Sequence, residues 1–254
     1  MSSLRYKVIL KTSHRYVDRV EKCLATWLKD LDYVCLTDNI TGKFHEISGS
    51  ENDTYYSNEE KTITLVNLIR ETDLYSDYDW LIFIDDDAIL NTKYFEYLLP
   101  LLDKTRFYGL CMGGCPAKPQ LLFPSGGASY FISPAFIKNM KPMSKPHWST
   151  GGTEDVVVGN WLEENDQKIY QTVMIGEKEH FFKLNGWWPF HEESKTLRVF
   201  EQTAPNHKEL VIQKAVTKET EHKILTHVTH HYIKEMCEIE YIHNLFKVWT
   251  PEYL

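Results

Sequence analysis

Three consecutive aspartates, Asp85-Asp86-Asp87, follow the apolar run Trp80-Leu81-Ile82-Phe83-Ile84. Adjacent carboxylates repel, and a strand end has no need to collect them. A divalent cation and a hydroxyl-rich ligand would make the cluster reasonable. Alternate side chains on an extended chain share a face, so Asp85 and Asp87 can point one way and Asp86 another. Hard cations such as Mn2+ and Mg2+ take oxygen ligands, and Mg2+ commonly links a few carboxylates to substrate phosphates. The plainer alternative is a solvated acidic turn; the apolar strand in front of the triplet favours the metal site. A second acidic pair, Glu154-Asp155, opens a segment with helical character, where carboxylates also suit the helix dipole. Gly126-Gly127 allow a close backbone approach or a positive φ, or simply a tight turn.

These residues need a frame. Residues 6–10 (YKVIL) predict a short buried strand, and 15–30 show helical apolar spacing. Residues 33–38 predict a second strand ending at Asp38, and 39–57 a turn-rich excursion. A helix is expected over 61–75, a strand over 79–90 running into the aspartates, and a helix in TKYFEYLLPLLDK. Further on, 107–114 predicts a strand and 121–133 a Pro-Ser-Gly-Gly turn followed by a strand. Ser133 and Pro134 suit the N-cap and first position of a helix. Strand–helix alternation of this kind predicts an α/β fold, a mostly parallel central sheet with helices on both faces. Ligands of such sheets bind beyond the carboxyl ends of the strands, where the aspartates fall.

The chain has 254 residues, compatible with one domain at about 150–250 residues per α/β domain. Hydrophobic residues make up 43% and charged residues 25%, which excludes wholesale disorder. The net charge of −8 argues against a broad nucleic-acid footprint, although a local basic patch is compatible with the sum. The opening MSSLRYKVIL lacks a signal-peptide layout, and no window approaches the ~18 apolar residues of a membrane span, so a cytoplasmic protein is expected. Five cysteines fit no zinc spacing and suggest reduced thiols.

Five segments in order then carry a resemblance. KVILKTSHRYVDRVEKCLATWLKDLDYVCLTD, DWLIFIDDDAIL, PSGGASYFIS, TEDVVVG and THHYIKEMCEIEYI resemble glycosyltransferase family 31, the Fringe and core 1 β1,3-galactosyltransferase group. The triplet resembles the DxD motif of the GT-A nucleotide-sugar-binding fold; Ser129 stands where that family usually has Gly. The resemblance implies an inverting, metal-dependent hexosyltransferase. It would move a hexose or N-acetylhexosamine from a UDP-sugar to a hydroxyl of a glycan, glycoconjugate or other acceptor, in β1,3 linkage. It implies one catalytic domain over 1–254, with a nucleotide-binding half (1–105) and an acceptor-binding half (106–254).

By the same resemblance Asp155 is the general base, with Glu154 its neighbour and rival. Asp87 and Asp85 hold Mn2+ (or Mg2+), and a histidine completes the site: His191 in PFHEES first, with His180 and His231 as alternatives. Lys11, Thr12, Arg15, Asp38, Lys61, Asp85, Asp86, Gly126 and Gly127 fall on the nucleotide-sugar side, with Arg19 facing the diphosphate or only solvating its helix. Trp187 and Trp188, between Gly186 and Pro189, are expected to stack on the acceptor sugar, whereas Trp161 sits in a helical segment and reads as core. Two other classes compete: a non-catalytic nucleotide-sugar or glycan-binding protein, and a metal-dependent phosphohydrolase. A binding protein has no use for a base, and the chain lacks a phosphate-loop motif.

Overall fold

The computed structural model describes residues 4–50, 57–148, 154–184, 186–187, 218–231, 233 and 236–253. Strand β1 (Tyr6–Lys11) lies inside a seven-stranded sheet. β2 (Tyr33–Thr37) pairs with it in parallel and carries β3 (Glu46–Ser48) on its outer edge. β4 (Trp80–Asp85) pairs in parallel on the other side of β1. β5 (Ala88–Leu90) leaves this sheet. There follow β6 (Phe107–Gly109), a hairpin of β7 (Cys111–Cys115) and β8 (Lys118–Pro124), then β9 (Tyr130–Ile132) and β10 (Ile169–Tyr170). The sheet order is β10-β6-β9-β4-β1-β2-β3. Within this sheet, among the described residues, β9 alone runs antiparallel to both of its neighbours.

Helices cover both faces. α1 (Val17–Ala25), α3 (Thr92–Leu98), α6 (Lys218–Leu225) and α7 (Met236–Phe246) share one core with Val8, Leu10, Ile82 and Ile84. α2 (Ser57–Glu71), α4 (Pro134–Lys138) and α5 (Glu154–Glu164) share the other with Ile9, Leu81 and Phe83. Successive strand residues therefore serve opposite cores, which is why YKVIL and WLIFI are unbroken apolar runs rather than alternating ones. Each fully buried Val, Leu, Ile or Phe contributes about 1.5–3 kcal/mol. The expected α/β architecture with a mostly parallel sheet is present. Trp161, 1% exposed, lies in the second core, its indole N–H donating to Lys141 O at 2.8 Å. Cys23, Cys35 and Cys115 are buried free thiols and Cys111 is an exposed one. No helix among the described residues is long and apolar enough to cross a membrane.

Two expected strands are broken. The one expected over 79–90 stops at Asp85 and resumes as β5 in another sheet, paired with β14 (Thr229–His231). The one expected over 107–114 divides into β6 and β7, because Ser125 N–H takes Leu110 O and β7 turns to pair with β8. The remaining short strands are the hairpin β11 (Thr172–Ile175) and β12 (Lys178–Phe181), and β13 (Gly186–Trp187) beside β14.

Ser129 has φ of +76°, is fully buried, and its hydroxyl lacks a partner. A non-glycine residue held there stores about 1–3 kcal/mol, partly offset by the entropy a glycine loses on folding. Ser129→Gly is expected to raise the melting temperature by about 2–4 °C, corresponding to a net gain of about 1 kcal/mol. Calorimetry that found a lower melting point would show the hydroxyl to be stabilising.

Candidate active site

The chain leaves β1 towards β2 on one side and returns through β4 on the other. A crevice therefore opens at the carboxyl ends of β1 and β4, the usual ligand position in such sheets. Lys11 and Asp85 are register partners at that edge.

The aspartate triplet turns immediately beyond it, with Asp86 N–H donating to Lys11 O at 3.1 Å. Asp86 faces inwards: it accepts from Thr12 Oγ1 at 2.7 Å and from Arg19 at 3.0 Å. Burial pushes its carboxyl up to about 6, against the pull of Thr12 and Arg19. Asp85 and Asp87 turn towards β14 (Thr229–His231), Asp87 keeping Arg19 at 3.7 Å from its other oxygen. β14 pairs antiparallel with β5, His231 opposite Ala88, and this register delivers the imidazole to the triplet. His231 Nε2 stands 3.0 Å from Asp87 Oδ1 and 3.7 Å from Asp85 Oδ2. One ligand atom from each of the three lies within 4.8 Å of the others, so Asp85, Asp87 and His231 could hold a metal ion. Two carboxylates and one imidazole are a donor set that could hold a divalent cation and leave positions for further oxygen ligands.

Gly127 closes this cluster from the adjoining loop. A Cβ there would fall 2.0 Å from His231 Cε1 and 2.5 Å from both ring nitrogens. The atoms in conflict belong to a side chain, so the imidazole would yield before the backbone. Gly127→Ala is expected to fold normally yet bind Mn2+ about 10–100-fold more weakly, the usual effect of disturbing the support of a ligand. Calorimetric Mn2+ titration of the folded variant measures this; unchanged affinity would place His231 outside the metal site.

Across the crevice, the first turn of α5 supplies Glu154 and Asp155. Glu154 is 6% exposed and heavily engaged. Lys11 Nζ donates to its Oε2 at 2.5 Å, while Tyr130 OH and Thr62 Oγ1 donate to Oε1 at 2.6 and 3.3 Å. Asp155 Oδ1 accepts Gly126 N–H at 2.8 Å. A Cβ on Gly126 would lie 2.4 Å from that oxygen and 2.6 Å from Glu154 Oε2, so this position requires glycine. Burial, then the neighbouring Glu154, push the Asp155 carboxyl up to about 7, and Lys11 and the Gly126 N–H oppose them. A carboxyl poised there is fit to exchange a proton near neutrality. The Tyr130 hydroxyl, buried beside Glu154, is held protonated far above its ordinary range.

The other expected residues are distributed as follows. Lys61 is buried and donates to Thr12 O at 2.6 Å, bracing the turn after β1; burial lowers its ammonium pKa. Asp38 is 1% exposed and caps its own neighbourhood, accepting from Ser13 Oγ and His14 N–H at 3.0 Å. Arg15 is exposed one turn away. His180 lies apart, 3.3 Å from Tyr94 OH on α3. His191 and Trp188 lie outside the described residues. Trp187 is on β13, in register with His231, which sets its backbone beside the cluster. Tyr130 and Thr62 were missed by sequence reasoning. Tyr130 was readable only as a strand aromatic, and Thr62 carries no signal at all.

No family model matches the chain, and no curated protein matches it. Among solved structures it is similar to a glycosyltransferase involved in glycosylation of the major capsid of PBCV-1, at 8% identity and a TM-score of 0.47, covering 94% of this chain and 99% of that one. It is also similar to the apo form of the glycosyltransferase GlyE of Streptococcus pneumoniae TIGR4, at 10% identity and a TM-score of 0.47, covering 97% of this chain and 63% of that one. Likeness at this level carries no weight of its own beside the side-chain geometry.

Proposed function

We propose that this chain is a single-domain, metal-dependent glycosyltransferase of GT-A type that moves a hexose or N-acetylhexosamine from a UDP-sugar to an acceptor hydroxyl. The supporting observation is the placement, at the carboxyl ends of β1 and β4, of the Asp85–Asp87–His231 cluster opposite the buried Glu154–Asp155 pair. Lys11 touches both groups, at 3.0 Å from Asp85 and 2.5 Å from Glu154. The ordered resemblance to family 31 independently gives Asp85, Asp87 and Asp155 the same roles, while ranking His191 ahead of His231 as the third ligand.

In this reading Asp85, Asp87 and His231 hold Mn2+ or Mg2+. Such a cation offsets the negative charge that grows on a departing diphosphate. Asp155 takes the proton of the acceptor hydroxyl, oriented by the Gly126 N–H bond to its Oδ1. One base on the acceptor side suits a single displacement with inversion, and the family resemblance favours a β1,3 linkage. Glu154 carries no proton in the reaction; its three donors fix it as the anchor of the pair. Gly126 and Gly127 let the loop approach the donor sugar, and Thr12, Lys61 and Asp38 shape the turn on which the nucleotide lies. Trp187 and Trp188 are proposed acceptor contacts. A Mn2+-dependent UDP-release assay over UDP-galactose, UDP-glucose and UDP-N-acetylglucosamine, with and without sugar acceptors, tests the proposal. Acceptor-stimulated release supports it, phosphate release would favour a phosphohydrolase, and tight donor binding without turnover a binding protein.

A further inference from the structure

We propose that Lys11 is a positioning residue that joins the two sides of the site, pairing with Glu154 and fixing it so that Asp155 alone receives the acceptor proton. This rests on the transferase reading with Asp155 as base. An ammonium has three N–H donors. Lys11 Nζ has three acceptors around it: Glu154 Oε2 at 2.5 Å, Asp85 Oδ1 at 3.0 Å and Gly126 O at 3.2 Å. Its side chain is 4% exposed, so these three contacts account for its donors, with none left for a diphosphate. Glu154 and Asp155 are neighbours in one helical turn, and two close carboxylates cannot both ionise freely. The direct contact of Lys11 is with Glu154, which leaves Asp155 as the member of the pair that Lys11 does not hold directly.

The backbone repeats the link. Lys11 Nζ holds the carbonyl of Gly126, and the N–H of the same residue holds Asp155. Displacing the ammonium therefore loosens the loop that aims the base. The charged groups facing Asp155 are Glu154 from its own helix, Lys11 from β1 and Asp85 from β4. Lys11 is the positive member of that set, and its removal leaves three carboxylates together.

The test is a carboxyl titration of the full chain by NMR with carbon-13-labelled aspartate. Asp155 is assigned by the signal missing in Asp155→Asn. In Lys11→Met its titration midpoint is expected to rise by about one unit or more, the usual scale for losing a nearby opposite charge. Lys11→Arg, which keeps the charge, should leave the midpoint close to that of the wild type. Lys11→Met strands a buried Glu154, so Glu154→Gln serves as the second variant; it keeps Lys11, removes the like charge, and should lower the midpoint. An unmoved midpoint in Glu154→Gln, or in a folded Lys11→Met, overturns the proposal. Midpoints that move as expected in a chain that turns over no UDP-sugar would sink the transferase reading and leave the role of Lys11 in setting the Asp155 charge intact.

Discussion

Asp155→Asn is expected to lose acceptor-stimulated UDP release by about 100- to 10,000-fold while binding Mn2+ and donor as the wild type does. That range is what a positioned general base contributes. The amide matches the carboxylate in size and can still accept the Gly126 N–H bond, so the fold and the loop stay in place. Only proton acceptance disappears. The wild type should also show a matching pH dependence. The proposed base must be deprotonated to act, and the Asp155 carboxyl is pushed up to about 7 by burial and by Glu154. The rate therefore rises with pH through a single ionisation. A cation beside Asp85 removes part of the repulsion that raises this value, so in saturating Mn2+ the midpoint lies at or below about 7. Asp155→Asn should abolish this limb. A pH–rate profile of the variant that kept the wild-type limb at reduced height would assign the limb to another group.

The second large effect concerns the metal. Asp87→Ala and His231→Ala each remove one of the three proposed ligands and should weaken Mn2+ binding by more than the about 10–100-fold expected when only a supporting contact is lost. Thermal melting reads this without substrate. A ligand present at 100 times its dissociation constant stabilises the folded chain by about 2.7 kcal/mol. In a chain of this size that corresponds to an upward shift of about 5–10 °C. The wild type should show the shift in Mn2+ and lose it in EDTA; both variants should melt at one temperature in either condition. Without metal Asp87→Ala should be little less stable than the wild type, because it relieves repulsion between neighbouring carboxylates, whereas His231→Ala deletes a buried imidazole 3.0 Å from Asp87 and should melt lower. Unlike Asp87→Ala, Asp86→Ala should destabilise the metal-free chain, since Asp86 is buried against Thr12 and Arg19 and faces away from the cluster. A full Mn2+ shift in His231→Ala would remove His231 from the ligand set.

Much of this arrangement was legible from local pattern. The runs YKVIL and WLIFI named the central strands because strands buried on both faces need apolar residues at every position. Ser133 and Pro134 marked the start of α4, and the Ser133 hydroxyl does accept Phe136 N–H at 2.9 Å. Opposite orientations for Asp85 and Asp87 on one side and Asp86 on the other were also foreseeable, although a turn rather than continued extended chain produces them. What was not legible depends on long-range pairing. His231 reaches the triplet because β14 pairs with β5 across more than a hundred residues, and nothing near residue 231 encodes that register. The Phe-His dipeptide at 190–191 was the stronger local signal and ranked His191 first, although its spacing from Asp155 is long and His180 lies at a more typical distance. The engagement of Glu154 was hidden for the same reason: Lys11, Thr62 and Tyr130 meet it from three separate elements. Sequence reading nominated the acidic pair, with Asp155 as base by resemblance; packing adds that Glu154 is the member anchored by three donors.

The most direct measurement is UDP release from a UDP-sugar panel by the wild type, Asp87→Ala and Asp155→Asn, each in Mn2+ and in EDTA, with and without sugar acceptors. The predicted result is acceptor-stimulated release by the wild type in Mn2+ alone, with both variants close to background and Asp155→Asn still taking up Mn2+. Release that persisted in EDTA, or that survived in both variants, would contradict the metal cluster and the base together.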